Sequence, residues 1–331
     1  MTTQAKKSLM SGMRPTGELH LGNYLGALDN WIQLQEEFNC YFSIVDWHAL
    51  TTAYKEVDQL EDRIFDMACD WLASGLDPNK CAIFRQSEIK EIAELHLLFS
   101  MIIPLSWLER VPTYKDQLQQ LKEKEINTYG FLGYPLLQSA DILICQAEVV
   151  PVGEDQVPHI ELTREIGRRF NHLYNTEIFI DPLARLTENK VLPGLDNRKM
   201  SKSYKNYIPL SASPDEVLTK VKSMVTDPER IRKDDTGNPY ICSVYAYHKI
   251  FNTENRAEVE VACKAGSIGC MQCKRMLADK LIELIQPIHE RKQDLIQRPD
   301  YVRDVLAEGA KKTRIKANET MEKVRKIMGI R

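Results

Sequence analysis

At 331 residues with 43% hydrophobic side chains, the chain is long enough to bury a substantial core, and the usual size prior points to one large domain and a smaller one. A formal net charge of −3 gives no argument for nucleic-acid binding from bulk charge. The longest apolar stretch, residues 95–108, is broken by Ser and Pro and is too short to span a bilayer, so no membrane segment is expected.

The N-terminal residues 1–12 carry two lysines but no apolar run of signal-peptide length, which makes a cytoplasmic location the expectation. Residues 8–13 form the first short apolar run and read as a buried strand. A turn-rich passage follows, Arg14-Pro15-Thr16-Gly17-Glu18-Leu19-His20-Leu21-Gly22-Asn23, and then a helical pattern over 24–34. Further strands are expected at 41–45, 82–86 and 149–152, with helix-like segments between them. That alternation predicts an α/β fold with a parallel sheet, whose ligands gather at the carboxyl ends of the strands. The polar passages sit where this rule wants them. Residues 14–23 follow the first run, Asp46-Trp47-His48 the second, and Gly153-Glu154-Asp155-Gln156 the fourth. Beyond about residue 206 the strand signal fades, and 214–225, 271–291 and 300–328 read as amphipathic helices. The expected division is an α/β domain at 1–205 and a second, smaller, all-helical domain at 206–331. From 311 to 331 eight Lys or Arg stand against two Glu, a basic end suited to phosphates or to a solvated helix face.

The passage at 14–23 suits a nucleotide. Gly22 lacks a Cβ and lets a ligand approach the backbone, and the helix start offers free N–H groups and a positive dipole end to phosphate. His20 and Asn23 add side-chain donors. There is no Gly-Lys-Ser or Gly-Lys-Thr P-loop and no Gly-x-Gly-x-x-Gly, and taken alone the string fits a capped helix with a satisfied histidine better than a nucleotide site. Its partner is Lys199-Met200-Ser201-Lys202-Ser203, preceded by Gly194-Leu195-Asp196-Asn197-Arg198, which places two lysines and two hydroxyls on a loop. A third motif spaces Tyr134, Gln138 and Asp141 along one helix face. A carboxylate running into Ile142, Leu143 and Ile144 is costly to bury without a donor, whether from the protein or from a ligand.

His20-Leu21-Gly22-Asn23 resembles the His-Ile-Gly-His signature of class I aminoacyl-tRNA synthetases, with Asn in the last place, and residues 199–203 match their second signature letter for letter. The resemblance implies a Rossmann-like catalytic domain in which an amino-acid carboxylate attacks the α-phosphorus of ATP and pyrophosphate departs, with no covalent enzyme intermediate. It implies that His20 and Asn23 serve ATP and its phosphates, that Lys199 and Lys202 steady the pyrophosphate, and that Mg²⁺ bridges phosphate oxygens. Arg14, Pro15, Thr16, Gly22, Gly153, Glu154, Asp155, Val191, Met200, Ser201 and Ser203 are the further implied ATP contacts. Arg14 stands where many family members carry Gln, so its own contact is open.

The string from Tyr134 to Asp141 occurs in both tyrosine and tryptophan enzymes. Val150-Pro151-Val152-Gly153-Glu154-Asp155-Gln156, followed by His159-Ile160-Glu161, together with Asn23, is similar to the tryptophanyl-tRNA synthetases; tyrosine enzymes usually show Gly-Gly-x-Asp-Gln here. This implies that Asp141 accepts the indole N–H of L-tryptophan and that Tyr134 and Gln156 hold its amino group. Gln138 joins the tryptophan site, Val150 and Val152 flank the ring, and His48 forms a wall, a position that suits a core histidine as well. The implied partners are tRNA(Trp) and a second copy of the chain. Residues 95–114 and 129–137 are apolar enough for a homodimer interface or for core. A tyrosine-specific enzyme, and a non-catalytic tryptophan-sensing or RNA-binding paralogue, are the alternatives.

Four of the eight cysteines, Cys242, Cys263, Cys270 and Cys273, cluster as C-x20-C-x6-C-x2-C. Four thiolates suit tetrahedral Zn²⁺ or a [4Fe–4S] cluster, and spacing alone leans toward zinc. A subset of tryptophanyl-tRNA synthetases carries a [4Fe–4S] cluster on C-x22-C-x6-C-x2-C in the anticodon-binding domain. That resemblance implies the cluster here, with the first loop two residues shorter.

Overall fold

The computed structural model describes residues 6–120, 125–186 and 192–330, and it divides the chain into two compact units. One unit holds residues 6–17, 30–120, 125–186 and 298–330; the other holds 18–29 and 192–297. Val191 and the Ser203 side chain lie outside what is described.

The first unit is built on a five-stranded sheet in the order β3-β2-β1-β4-β5. Its strands are β1 (Ser8–Met13), β2 (Asn39–Ile44), β3 (Cys81–Arg85), β4 (Val149–Val152) and β5 (Leu183–Leu186), and all pairings are parallel. Nearly every residue of β2, β3 and β4 is buried, the pattern of parallel strands covered on both faces. β1 pairs with β2 on one side and β4 on the other, so the chain reverses its winding there. The carboxyl ends of β1 and β4 are therefore the natural ligand position of this sheet. The expected α/β, Rossmann-like architecture is present, with β5 as a strand that the apolar pattern did not announce.

Helices α1 (Asp46–Ala53), α2 (Lys90–Ser100), α3 (Tyr134–Ile144) and α4 (Val157–Leu173) fill in around the sheet. Leu95 and Phe99 of α2, Ala140 and Leu143 of α3 and Phe170 of α4 belong to one buried cluster. Phe99, Phe170 and Phe179 meet edge to face at 5.0 to 6.1 Å between ring centres. Burying each ring is worth about 1.5–3 kcal/mol, with about 0.5–1.5 kcal/mol more from the aromatic geometry.

The second unit contains α5 (Pro214–Ser223), α6 (Ser243–Phe251), α7 (Arg256–Lys264) and α8 (Cys270–Ile296). Helix α5 starts as its sequence dictates, with Ser213 accepting from the Glu216 amide at 3.2 Å and Pro at the first turn. The last helix, α9 (Pro299–Met328), packs on β3 and belongs to the first unit. The compact units thus do not follow the division at 205 and 206. An amphipathic pattern reports that a face is buried and not what covers it.

The basic end behaves accordingly. Lys312 donates to the Pro78 carbonyl at 2.9 Å, Arg314 to that of Glu88, and Arg325 pairs with Glu94 at 2.5 Å. These cations hold the helix to its own unit. Among the described residues no helix is long and apolar enough to cross a membrane.

Candidate functional site

In the second unit, the chain around His20 pairs with the chain that follows the lysine loop. His20 forms an antiparallel bridge with Pro209, the Leu21 amide donates to the Ile208 carbonyl at 3.2 Å, and the Leu210 amide donates to that of Leu19 at 2.9 Å. This pairing brings together two strings that lie far apart in sequence. A Cβ built on Gly22 would sit 3.0 Å from His20 Nδ1 and 3.1 Å from Met200 Sδ, so a larger residue would crowd both motifs.

His20 caps the turn Leu21–Asn23. The Asn23 amide donates to His20 Nδ1 at 3.3 Å, and the His20 amide donates to Asn23 Oδ1 at 3.1 Å, a reciprocal capping box. With Nδ1 accepting, the ring proton belongs on Nε2, where it can be offered to an oxyanion. Burial, and then the positive charge of Lys202, pull the His20 pKa down to about 4, so the ring is neutral at physiological pH.

The lysine loop is organised around Asn206, which is 4% exposed. Its Nδ2 donates to Asp196 Oδ1 at 2.7 Å and to the Lys199 carbonyl at 3.1 Å, and its Oδ1 accepts from the Ser201 amide at 2.8 Å. The Asn206 amide, followed by Arg198, holds the Asp196 carboxyl down to about 2. Asn197 and Lys205 bracket the loop in left-handed conformations, at φ 65° and 51°. No local pattern singles out Asn206. It emerges only on asking what satisfies the loop's backbone groups.

The first unit gathers the residues of the third motif. Asp141 is 2% exposed, and the donor that its burial demands comes from the protein. Gln86 Nε2 donates to both carboxylate oxygens, at 2.9 and 2.8 Å, and His48 Nε2 lies 3.0 Å from Oδ2. A carboxylate offers about four acceptor positions, so capacity for a further donor remains. Gln86 follows β3, and only the strand-end rule could have pointed to it. Tyr134 Oη lies 2.8 Å from Thr113 Oγ1, which is 2.6 Å from His159 Nε2, and Arg14 interacts electrostatically with the same phenol. Val150 and Val152 are buried and Gln138 is half-buried. Glu154 and Asp155 are exposed, Gly153 caps their turn, and Gln156 donates its amide to Asp155 Oδ2 at 2.8 Å.

His159 carries a pH prediction. Burial lowers its pKa from 6.5 to about 4, so as pH falls the unfolded imidazole is protonated first. Its contribution to stability is full above about pH 6.5 and is lost between there and about 4. Urea midpoints should fall across that window in the parent, and His159→Gln should flatten the fall.

In the second unit Cys242, Cys263, Cys270 and Cys273 are free and partly exposed, and all four line one cavity with Val244, Val259 and Ile268. The cavity closes tightly around them. A Cβ on Gly237 would lie 2.8 Å from Cys263 Sγ, and one on Gly266, at φ +69°, would lie 2.3 Å from the Asp234 carbonyl. Burial raises the thiol pKa values of Cys242 and Cys263 and pushes that of Cys273 to about 12, with the neighbouring thiols adding to it. Among the described residues no three His, Cys, Asp or Glu side chains are grouped as ligands of a single metal ion. Cys40, Cys69, Cys81 and Cys145 are buried one by one in the first unit.

A Rossmann-like parallel sheet in one unit, and in the other a capped histidine turn with a lysine loop beside it, define a class. The family model of class I tRNA synthetases (W and Y) matches residues 2–286, and the chain belongs to that family. The tryptophan–tRNA ligase of Thermotoga maritima is 51% identical over 325 residues, covering 97% of this chain and 99% of that one. The tryptophan–tRNA ligase of Lactococcus lactis is 41% identical over 335 residues, covering 98% of each. The crystal structure of tryptophanyl-tRNA synthetase from Campylobacter jejuni, complexed with ADP and tryptophan, superposes with a TM-score of 0.89 at 31% identity, covering 98% of this chain and all of that one.

Proposed function

We infer that the chain is a tryptophan–tRNA ligase, which activates L-tryptophan with ATP to the adenylate and pyrophosphate and then transfers tryptophan to tRNA(Trp). Its relatives of that activity match it from end to end. The observation that carries the reading is the approach of His20 and Gly22 to Met200 and Lys202 within one unit. In the proposed reaction the Nε2–H of His20, the Asn23 amide and the ammonium groups of Lys199 and Lys202 meet charge that builds on the phosphates, and Mg²⁺ supplies a further countercharge. The remaining proposed ATP contacts are Arg14, Pro15, Thr16, Gly22, Gly153 to Asp155, and Val191 with Met200 to Ser203. Asp141, with Gln86 and His48 holding its carboxylate, is the proposed acceptor for the indole N–H. Tyr134, Gln138, Gln156, Val150 and Val152 complete the tryptophan site.

Pyrophosphate exchange tests the reading. Tryptophan should support exchange and tyrosine should not, whereas exchange with tyrosine alone would overturn it. Asp141→Asn keeps the shape and removes the charge, and should raise the KM for tryptophan about 10- to 100-fold, the worth of a hydrogen bond to a charged group. An unchanged KM would remove Asp141 from the site.

We also propose residues 1–205 as the catalytic portion and 206–331 as the anticodon-binding portion, a cytoplasmic location, and a homodimer. Exposed Leu97, Met101, Leu105 and Tyr129 support the dimer as apolar surface in the stretches expected to form it. Sedimentation at micromolar concentration tests it.

The four cysteines fit a [4Fe–4S] group. All four line a single cavity with apolar neighbours, and four thiolates are the ligand set that such a group would need. When bound, such a group supplies structural cross-linking, with a redox centre in addition. The chain's own residues release thiol protons on loading and hold the four sulfurs in place.

A further inference from the structure

His248 has no part in the reaction proposed above, yet it is fully buried and lies against Cys273, one of the four cysteines. It lies on α6, and its Nε2 is 3.4 Å from Cys273 Sγ and 3.1 Å from the Cys273 carbonyl oxygen. Its other nitrogen, Nδ1, is 2.9 Å from Nδ2 of Asn252, which is 2% exposed. Asn252 is oriented in turn, because its Oδ1 accepts from Asn255 Nδ2 at 3.1 Å. The amide end that faces the imidazole is therefore the donating end. Nδ1 accepts and the ring hydrogen sits on Nε2, where the Cys273 carbonyl oxygen, an acceptor only, also requires it, with the sulfur a second and longer acceptor beside it.

We infer that His248 is a positioning residue for the metal-bound Cys273 thiolate, its Nε2–H shared between the Cys273 carbonyl oxygen and the sulfur, with Asn252 and Asn255 holding the ring from the Nδ1 side. The inference rests on the four-cysteine reading and deepens it. A thiolate that holds metal carries charge that a buried N–H stabilises, and donors of this kind keep a ligand in place and tune the group it holds. Arg230 makes a longer contact of the same sort, with Nη1 4.0 Å from Cys263 Sγ, while its Nη2 is committed to the Lys233 and Ile268 carbonyls. Cys273 thus faces an imidazole held from its far side by two residues in series, Asn252 and Asn255.

The test uses the full chain purified without oxygen, as the parent, His248→Phe, His248→Gln and Asn252→Leu. Phenylalanine keeps the ring and removes the N–H, whereas the glutamine amide restores a donor near Nε2. With the parent loaded, His248→Phe should release its metal to a chelator on the order of 10-fold faster. If iron and sulfide are present, its midpoint potential should also shift to more negative values. His248→Gln should return both readings toward the parent. Asn252→Leu leaves the imidazole in place and removes the partner of Nδ1, and should move both in the same direction by less. A loaded parent with all variants unchanged overturns the role of His248 alone. A parent that binds neither cluster nor zinc overturns the four-cysteine reading, and this inference with it.

Discussion

Replacing Lys202 with alanine should slow tryptophanyl-adenylate formation by roughly 100- to 1,000-fold in a single turnover, the usual cost of removing one donor aimed at developing charge. Tryptophan binding, measured without ATP, should stay nearly unchanged. The split follows from where the charge is. Lys202 lies close enough to His20 to depress its pKa, in the unit that carries both synthetase signatures, whereas Asp141, Gln86 and His48 lie in the first unit. A cation serving the leaving pyrophosphate acts on the transition state and contributes little to the bound amino acid. Because His20 and Lys202 would act on the same phosphates, the double variant His20→Ala with Lys202→Ala should lose less than the product of the single losses. Equal losses in tryptophan affinity and adenylate formation would instead favour a tryptophan-sensing protein that has kept the fold.

Much of this was legible in the sequence where the signal is local. Strands β1 and β4 fall on the expected residues, and β2 and β3 start a residue or two earlier than their apolar runs suggested. β5 escaped because Leu183–Leu186 is short, contains Arg185 and is largely exposed at the sheet edge, so it carries no buried run. The two synthetase signatures were readable because turn chemistry and lysine spacing are local properties. Gln86, Thr113, Asn206 and His248 were not. Each is a polar residue whose value lies in a partner tens of residues away or in a loop's unmet backbone groups, and a residue type alone does not disclose that. The Asp141 carboxylate shows both sides, since its need for a donor could be argued from burial while the identity of the donors could not.

The same limit hid the seat of the last helix, and there one substitution decides. Gly309 lies inside α9 with φ in the ordinary range, so helix propensity alone makes Gly309→Ala stabilising by about 1 kcal/mol. The packing says the reverse. A Cβ at that position would lie 1.9 Å from the Ile83 carbonyl oxygen and 2.6 Å from its carbon, and both belong to the backbone of the buried edge strand β3, which cannot rotate away as a side chain could. The helix would have to lift from the strand. That would loosen the Thr320 hydroxyl from the Ile144 carbonyl, now at 3.0 Å, and the Arg325 pair with Glu94. Overpacking of this kind costs about 1–3 kcal/mol and more against rigid backbone, so a net loss of about 3 kcal/mol is expected in urea unfolding. Gly329→Ala makes the contrast. Gly329 is a left-handed cap at φ +70° with open space around it, so only the conformational cost of about 1 kcal/mol applies. If Gly309→Ala proved as stable as the parent or more so, α9 would not lie against β3 as described, and its cations would again be available to phosphates.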